Sequence, residues 1–176
     1  MTGEARLDRT DAGLVPQGDG WFVVNAKDAP WWTSEYFGAS TSFEGDAGFP
    51  EYGMNMHVLR PGQPNGLYHR ESVQEDFLVV SGECVVLIEG EERALNAWDF
   101  VHCPAGTDHI FVGTGDRPCV IVMVGSRAPG TIVYPVSDLA QKHGAGVEEE
   151  TGVPKEAYAS FDRGGVGPMP DGTLPG

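Results

Sequence analysis

Between residues 62 and 113 the sequence holds imidazoles and carboxylates at spacings that suit a metal ion. His69 and Glu71 are two apart, so on a strand both project from one face. The polar stretch Ser72–Gln74 lets the chain reverse before Glu75 opens the apolar run Phe77–Ser81, and the three side chains can converge from two neighbouring strands. In Pro104-Ala105-Gly106-Thr107-Asp108-His109 a proline and a glycine build a turn that delivers His109 at the start of another strand. Two imidazoles with one or two carboxylates form a borderline-to-hard ligand set, suited to Fe(II), Mn, Zn, Ni or Co rather than to copper(I). Two carboxylates buried in a β core without a cation are costly, and a metal removes that cost. The candidate ligands are therefore His69, Glu71, Glu75 and His109. His57 and His143 read as ordinary core or surface histidines. His102, in one strand with Phe100, reads as a core group or a neighbour of the ligands.

The elements that must position these residues are short. Apolar segments recur with turn signals about every ten residues: Trp21–Asn25, Met54–Leu59, Phe77–Ser81, Cys84–Ile88, Arg93–Leu95, Phe100–Cys103, His109–Val112 and Cys119–Val124. That spacing predicts an all-β sandwich or barrel, with no helical stretches long enough for βαβ units. The clearest hairpin turns at Glu89-Gly90, where Gly90 supplies a positive φ. Helix is expected only in the C-terminal third: Ser137 can cap Asp138–His143 with Gly144 at its far end, and Pro154 suits the first turn of a helix through Ala159. Trp31, Trp32, Tyr36 and Phe37 are expected to cover a sheet face of this chain or of a partner.

Composition bounds the function. Eleven basic against 26 acidic side chains give a formal net charge of −15 over 176 residues. Such a chain offers no basic stripe to phosphate backbones and is repelled by anionic membranes, so neither nucleic acid nor a membrane is an expected partner. No apolar run approaches a membrane span and Met1–Asp19 has no leader signature, so a soluble, cytoplasmic protein is expected. Cys84, Cys103 and Cys119 sit in apolar segments without a Cys-x-x-Cys pair and read as small buried hydrophobes. With 25 glycines and 13 prolines, turns are frequent. The expected organisation is a loose tail over 1–19, one domain over 20–163 and a disordered Gly/Pro-rich tail over 164–176.

The two motifs together resemble the cupins. The first reads Gly62, six residues, His69-Arg70-Glu71, three residues, Glu75, six residues, Gly82. The second reads Trp98, five residues, Pro104-Ala105-Gly106, two residues, His109, three residues, Gly113. The resemblance spans roughly residues 54–125 and implies a small single-domain (conserved-barrel) cupin. Its fold would be a jelly-roll barrel, a double-stranded β-helix, with short N- and C-terminal extensions and one or two short C-terminal helices. It implies that His69, Glu75 and His109 bind the metal directly. Glu71 stands where the family has a second His, so its ligand role follows from ligand chemistry alone. Trp98 and Gly113 replace a Gly and an Asn that shape loops in the family.

The resemblance and the ligand set together imply one divalent transition metal per chain and a small-molecule substrate or ligand. Oxygenase-type and isomerase- or lyase-type reactions both suit such a site, with Glu71 as a fourth ligand or as the catalytic base. The alternative is a non-catalytic module that binds or senses a small ligand. Tyr68 and Arg70 should point away from the metal, while Gln74 could turn inward beside a ligand. The aromatic N-terminal extension, the sheet edges and the family's habit point to a homodimer.

Overall fold

Alternation along the strands sets the architecture, because successive side chains point to opposite faces of a sheet. The computed structural model describes residues 3–45, 48–162 and 164–174. In chain order the strands are β1 (Arg6–Arg9), β2 (Leu14–Gln17), β3 (Trp31–Ser34), β4 (Gly38–Ser42), β5 (Tyr52–Leu59), β6 (Arg70–Glu71) and β7 (Glu75–Ser81). They continue as β8 (Glu83–Ile88), β9 (Glu91–Asn96), β10 (Phe100–Cys103), β11 (His109–Thr114), β12 (Cys119–Ser126), β13 (Ile132–Val133) and β14 (Gly165–Gly167). Two short helices, α1 (Asp138–Lys142) and α2 (Pro154–Ala157), lie between β13 and β14.

A seven-stranded antiparallel sheet runs β10-β7-β12-β5-β4-β3-β14, and a three-stranded sheet runs β11-β8-β9. Phe77 and Val79 from the first sheet meet Val86 and Phe111 from the second, with Leu59, Ile121 and Met123 closing the main core. This is the all-β jelly-roll architecture that the sequence implies. The β8–β9 hairpin pairs Ile88 with Glu91, and its turn residues Glu89 and Gly90 take φ of 49° and 79°. Positive φ at both positions matches the twist of the flanking strands. Ser137 accepts a hydrogen bond from the Ala140 N–H, and Gly144 follows α1 at φ 70°. The three cysteines are buried and free. Among the described residues no helix is long and apolar enough to cross a membrane.

Several expectations need correction. Trp21–Asn25 is not a strand: Trp21 only bridges to Glu4, Val23 is exposed, and Asn25 instead caps a 3-10 turn through the Lys27 N–H. Residues 6–17, assigned to a loose stretch, pair as β1 and β2. Residues 165–167, assigned to a disordered tail, pair with β3 as β14. β14 covers the open edge of β3, while β1 and β2 form a two-stranded sheet of their own. Of the aromatic segment only Trp31 and Trp32 are themselves in a strand: Trp31 in β3 is fully buried against Val58 and Val120, while Phe37, in the turn before β4, packs with Leu67, Tyr134, Val147 and Ala157.

Trp98 keeps the loop that a glycine would make. Its φ is 78°, its N–H donates to the Val79 carbonyl at 2.7 Å, and its side chain is 76% exposed. A side chain in this left-handed region costs about 1–2 kcal/mol, and little packing offsets it here. Trp98→Gly is therefore expected to raise the midpoint of thermal unfolding by about 2–4 °C. A lower midpoint would show that the indole holds contacts that outweigh the strain.

Candidate metal centre

His69 and His109 lie directly opposite each other across an antiparallel bridge. They exchange both backbone hydrogen bonds, His69 N–H to His109 C=O at 3.2 Å and His109 N–H to His69 C=O at 2.8 Å. Opposed residues share a face, and the ring centroids stand 4.9 Å apart. Each ring is then fixed by a backbone carbonyl: Nδ1 of His69 lies 2.7 Å from the Leu67 oxygen, and Nδ1 of His109 lies 3.0 Å from the Thr107 oxygen. A carbonyl only accepts, so each Nδ1 carries the proton and each Nε2 presents a lone pair. Such outer hydrogen bonds set the tautomer of metal-binding histidines.

Glu75 opens β7 and brings Oε2 to 3.5 Å from His109 Nε2. The candidate ligand atoms of His69, Glu75 and His109 all lie within 4.8 Å of one another. Small side-chain shifts would bring them to the roughly 2.0–2.2 Å of metal–ligand bonds. The turn before His109 is tied to the first motif by the Gly106 N–H, which donates to the Glu71 carbonyl at 2.7 Å, and Gly106 takes φ 87° to do so.

The electrostatics fit a cation. Burial pushes the Glu75 carboxyl up to about 7, with the charge of Glu71 adding to the effect. Burial also lowers the His109 imidazole to about 4, helped by His69, and lowers His69 as well. Near neutral pH the imidazoles are unprotonated and the carboxylate lacks a counter-charge, a condition that a divalent ion relieves.

Glu71 lies beside this cluster rather than within it. It lines a cavity of about 240 Å³ together with Glu75, Asn55, His57, Asn65 and Arg127. Tyr68 and Arg70 point away, as their strand parity requires: the Tyr68 hydroxyl accepts from the Gly90 N–H and Arg70 pairs with Asp108 at 3.0 Å. Gln74 is exposed and donates to Asp76, so it does not turn inward. His102 is neither core nor beside the ligands: its register partner is Asp76, which it meets at 2.6 Å on the outer face. The inward positions of β10 are Val101 and Cys103. His143 is a surface group paired with Glu92.

Two tyrosines that spacing could not reveal support the site. The Tyr158 hydroxyl accepts from the Leu67 N–H at 3.0 Å, fixing the residue whose carbonyl holds His69. The ring of Tyr134 lies 5.9 Å from that of His69.

Residues 55–125 match the family model for the cupin domain. This segment is a cupin domain. Among solved structures, the chain is similar to a sugar phosphate isomerase of the cupin superfamily from Silicibacter pomeroyi, with 28% identity over 58% of this chain and 74% of that one, at a TM-score of 0.51. It is similar in fold to the polyketide cyclase RemF from Streptomyces resistomycificus, with 14% identity, coverage of 61% and 82%, and a TM-score of 0.53. A candidate sugar phosphate isomerase from Acidithiobacillus ferrooxidans aligns at 23% identity over 53% of this chain, with a TM-score of 0.48. The chain spans only 61% of that protein's length. No curated protein sequence matches the chain.

Two predictions follow from the geometry of the cupin site. Metal binding by this cluster would use the Glu75 carboxylate, so protons would compete below about pH 7. Apparent affinity for Zn²⁺ should fall roughly tenfold per pH unit below that point and level off above it, with a proton released per ion at pH 6 by calorimetry in buffers of differing ionisation enthalpy. An affinity independent of pH between 6 and 8 would rule Glu75 out. In a second measurement, elemental analysis of His109→Ala should show metal lost. Glu71→Gln should retain it if Glu71 lies outside the ligand set, as its place beside the cluster suggests.

Proposed function

We propose that this cupin uses a divalent transition metal to act on a small hydroxylated carbonyl compound, moving a proton next to the carbonyl in an isomerase- or lyase-type reaction. The observation that carries this reading is the division of labour among the acidic groups. Glu75 belongs to the ligand cluster, while Glu71 lines the same cavity outside that cluster. When bound, the metal would act as a Lewis acid on a substrate oxygen. The Glu71 carboxylate is then placed to take a proton from the adjacent carbon and return it to a neighbouring one.

The other residues suit a polar substrate. Asn55 and Asn65 line the cavity with amides that can hydrogen-bond hydroxyl groups. Asn65 is held in place, its Oδ1 accepting from the Phe111 N–H at 2.8 Å. Arg127 is paired with the buried Glu44 at 2.5 Å, so it shapes the cavity rather than offering a free cation. The 28% identity to a sugar phosphate isomerase supports the reaction class. A homodimer is the assembly we expect in solution.

The test is exchange of carbon-bound hydrogen in D2O, read by NMR with metal-loaded protein and a panel of hydroxyketones, aldoses and their phosphates. Deuterium should enter next to the carbonyl, and Glu71→Gln should slow that entry by about a hundredfold or more while metal content is kept. Oxygen uptake without exchange would replace this reading with an oxygenase. Ligand binding with neither activity would replace it with a binding module.

A further inference from the structure

Asn55, His57 and Leu59 alternate along one face of β5. Their register partners on β12 are Met123, Ile121 and Cys119, all members of the main core. Directly paired residues share a face, so His57 points into the barrel. Its Nδ1 is the one buried side-chain polar atom among the described residues that lacks a hydrogen-bond partner. The other four histidines each have one: His69 and His109 on backbone carbonyls, His102 on Asp76 and His143 on Glu92. An apolar side chain of similar size would avoid the cost of an unpaired buried nitrogen. A half-buried, inward-facing position that keeps an imidazole with its Nδ1 buried and unpaired calls for an explanation.

The surroundings of His57 supply it. The residue lines the cavity of about 240 Å³ that also holds Glu71 and Glu75. It also lines a second cavity, of about 450 Å³, that includes Trp32, Ser40 and Ser42 and extends to Leu14 and Pro16 of β2. Asn55 borders both as well. His57 and Asn55 therefore stand where the two spaces adjoin. Burial holds the imidazole near 4, so at neutral pH it offers one N–H and one lone pair and no charge.

We propose that His57 is a ligand-binding residue whose imidazole hydrogen-bonds an oxygen of a small hydroxy acid or hydroxy-carbonyl compound. The reacting end of that molecule lies beside Glu75, and its remaining hydroxylated carbons extend into the larger cavity. The assignment of the reacting end rests on the metal-site reading above, while the role of His57 rests on its own unpaired nitrogen. A polyhydroxylated chain suits the larger space, whose serines can pair with hydroxyl groups and whose apolar residues can pack against the carbons between them.

The experiment compares wild type, His57→Leu and His57→Gln, each loaded with Zn²⁺, using glycolate and gluconate as probes in titration calorimetry. Zinc content should be the same in all three. In His57→Leu the midpoint of thermal unfolding should hold or rise, while both probes bind at least tenfold more weakly. His57→Gln, which keeps a donor and an acceptor, should recover most of that loss and carries the test if the leucine variant does not fold. Gluconate should bind wild type more tightly than glycolate. Probe affinities in folded His57→Leu within twofold of wild type would overturn the proposal, as would a His57→Gln variant that binds both probes at less than a tenth of wild-type affinity or a wild type that binds neither probe. Loss of affinity in His57→Leu without any zinc dependence would remove the metal reading and leave the role of His57 standing. Absence of deuterium exchange alongside intact probe binding would remove only the isomerase reading.

Discussion

The paired backbone hydrogen bonds between His69 and His109 are the contact on which the site depends. They set two imidazoles side by side on one face before any side-chain interaction is considered. The Leu67 and Thr107 carbonyls then fix which nitrogen of each ring carries the proton. Glu75 completes the cluster because β7 follows β6 after a turn of only a few residues, and it arrives where burial raises its pKa. The sheets and the main core serve to keep these short segments in register.

The barrel accepts this cost at few places. Most of its interior is close-packed hydrocarbon, with Phe77, Phe111 and Ile121 nearly or fully buried. On β5 and β7 the half-buried polar residues Asn55, His57 and Glu75 line one cavity with Glu71. Stability and function therefore occupy different lengths of the same strands. Leu59 and Val79 hold the sheets together, while residues only a few positions earlier face the cavity.

Much of the fold was legible because local patterns agree with the global one. The Glu89-Gly90 turn and the Ser137 cap depend on neighbours in sequence, and each appears where the sequence places it, while His69, Glu75 and His109 come together from separate segments, as the resemblance to the cupins implies. The misreadings share a different cause. β14 is held by β3, a partner more than a hundred residues away, and β1 and β2 pair with each other in a stretch whose composition reads as loose. His102 was misplaced because alternation fixes which residues share a face but not which face is inside. His57 looked ordinary because an unpaired nitrogen is a property of the surroundings, not of spacing.

The link from α2 to His69 bears on the order of events during synthesis. Tyr158 fixes Leu67, Leu67 fixes the His69 ring, and the Ala145 carbonyl holds the neighbouring Tyr68 N–H at 2.7 Å. All three candidate ligands leave the ribosome well before Tyr158 does, yet the first of them lacks its outer support until then. A nascent chain therefore carries the complete ligand sequence without the rigid ligand geometry. Any selection among competing ions by the shape of this cluster would have to wait for the C-terminal third, late in the making of the polypeptide.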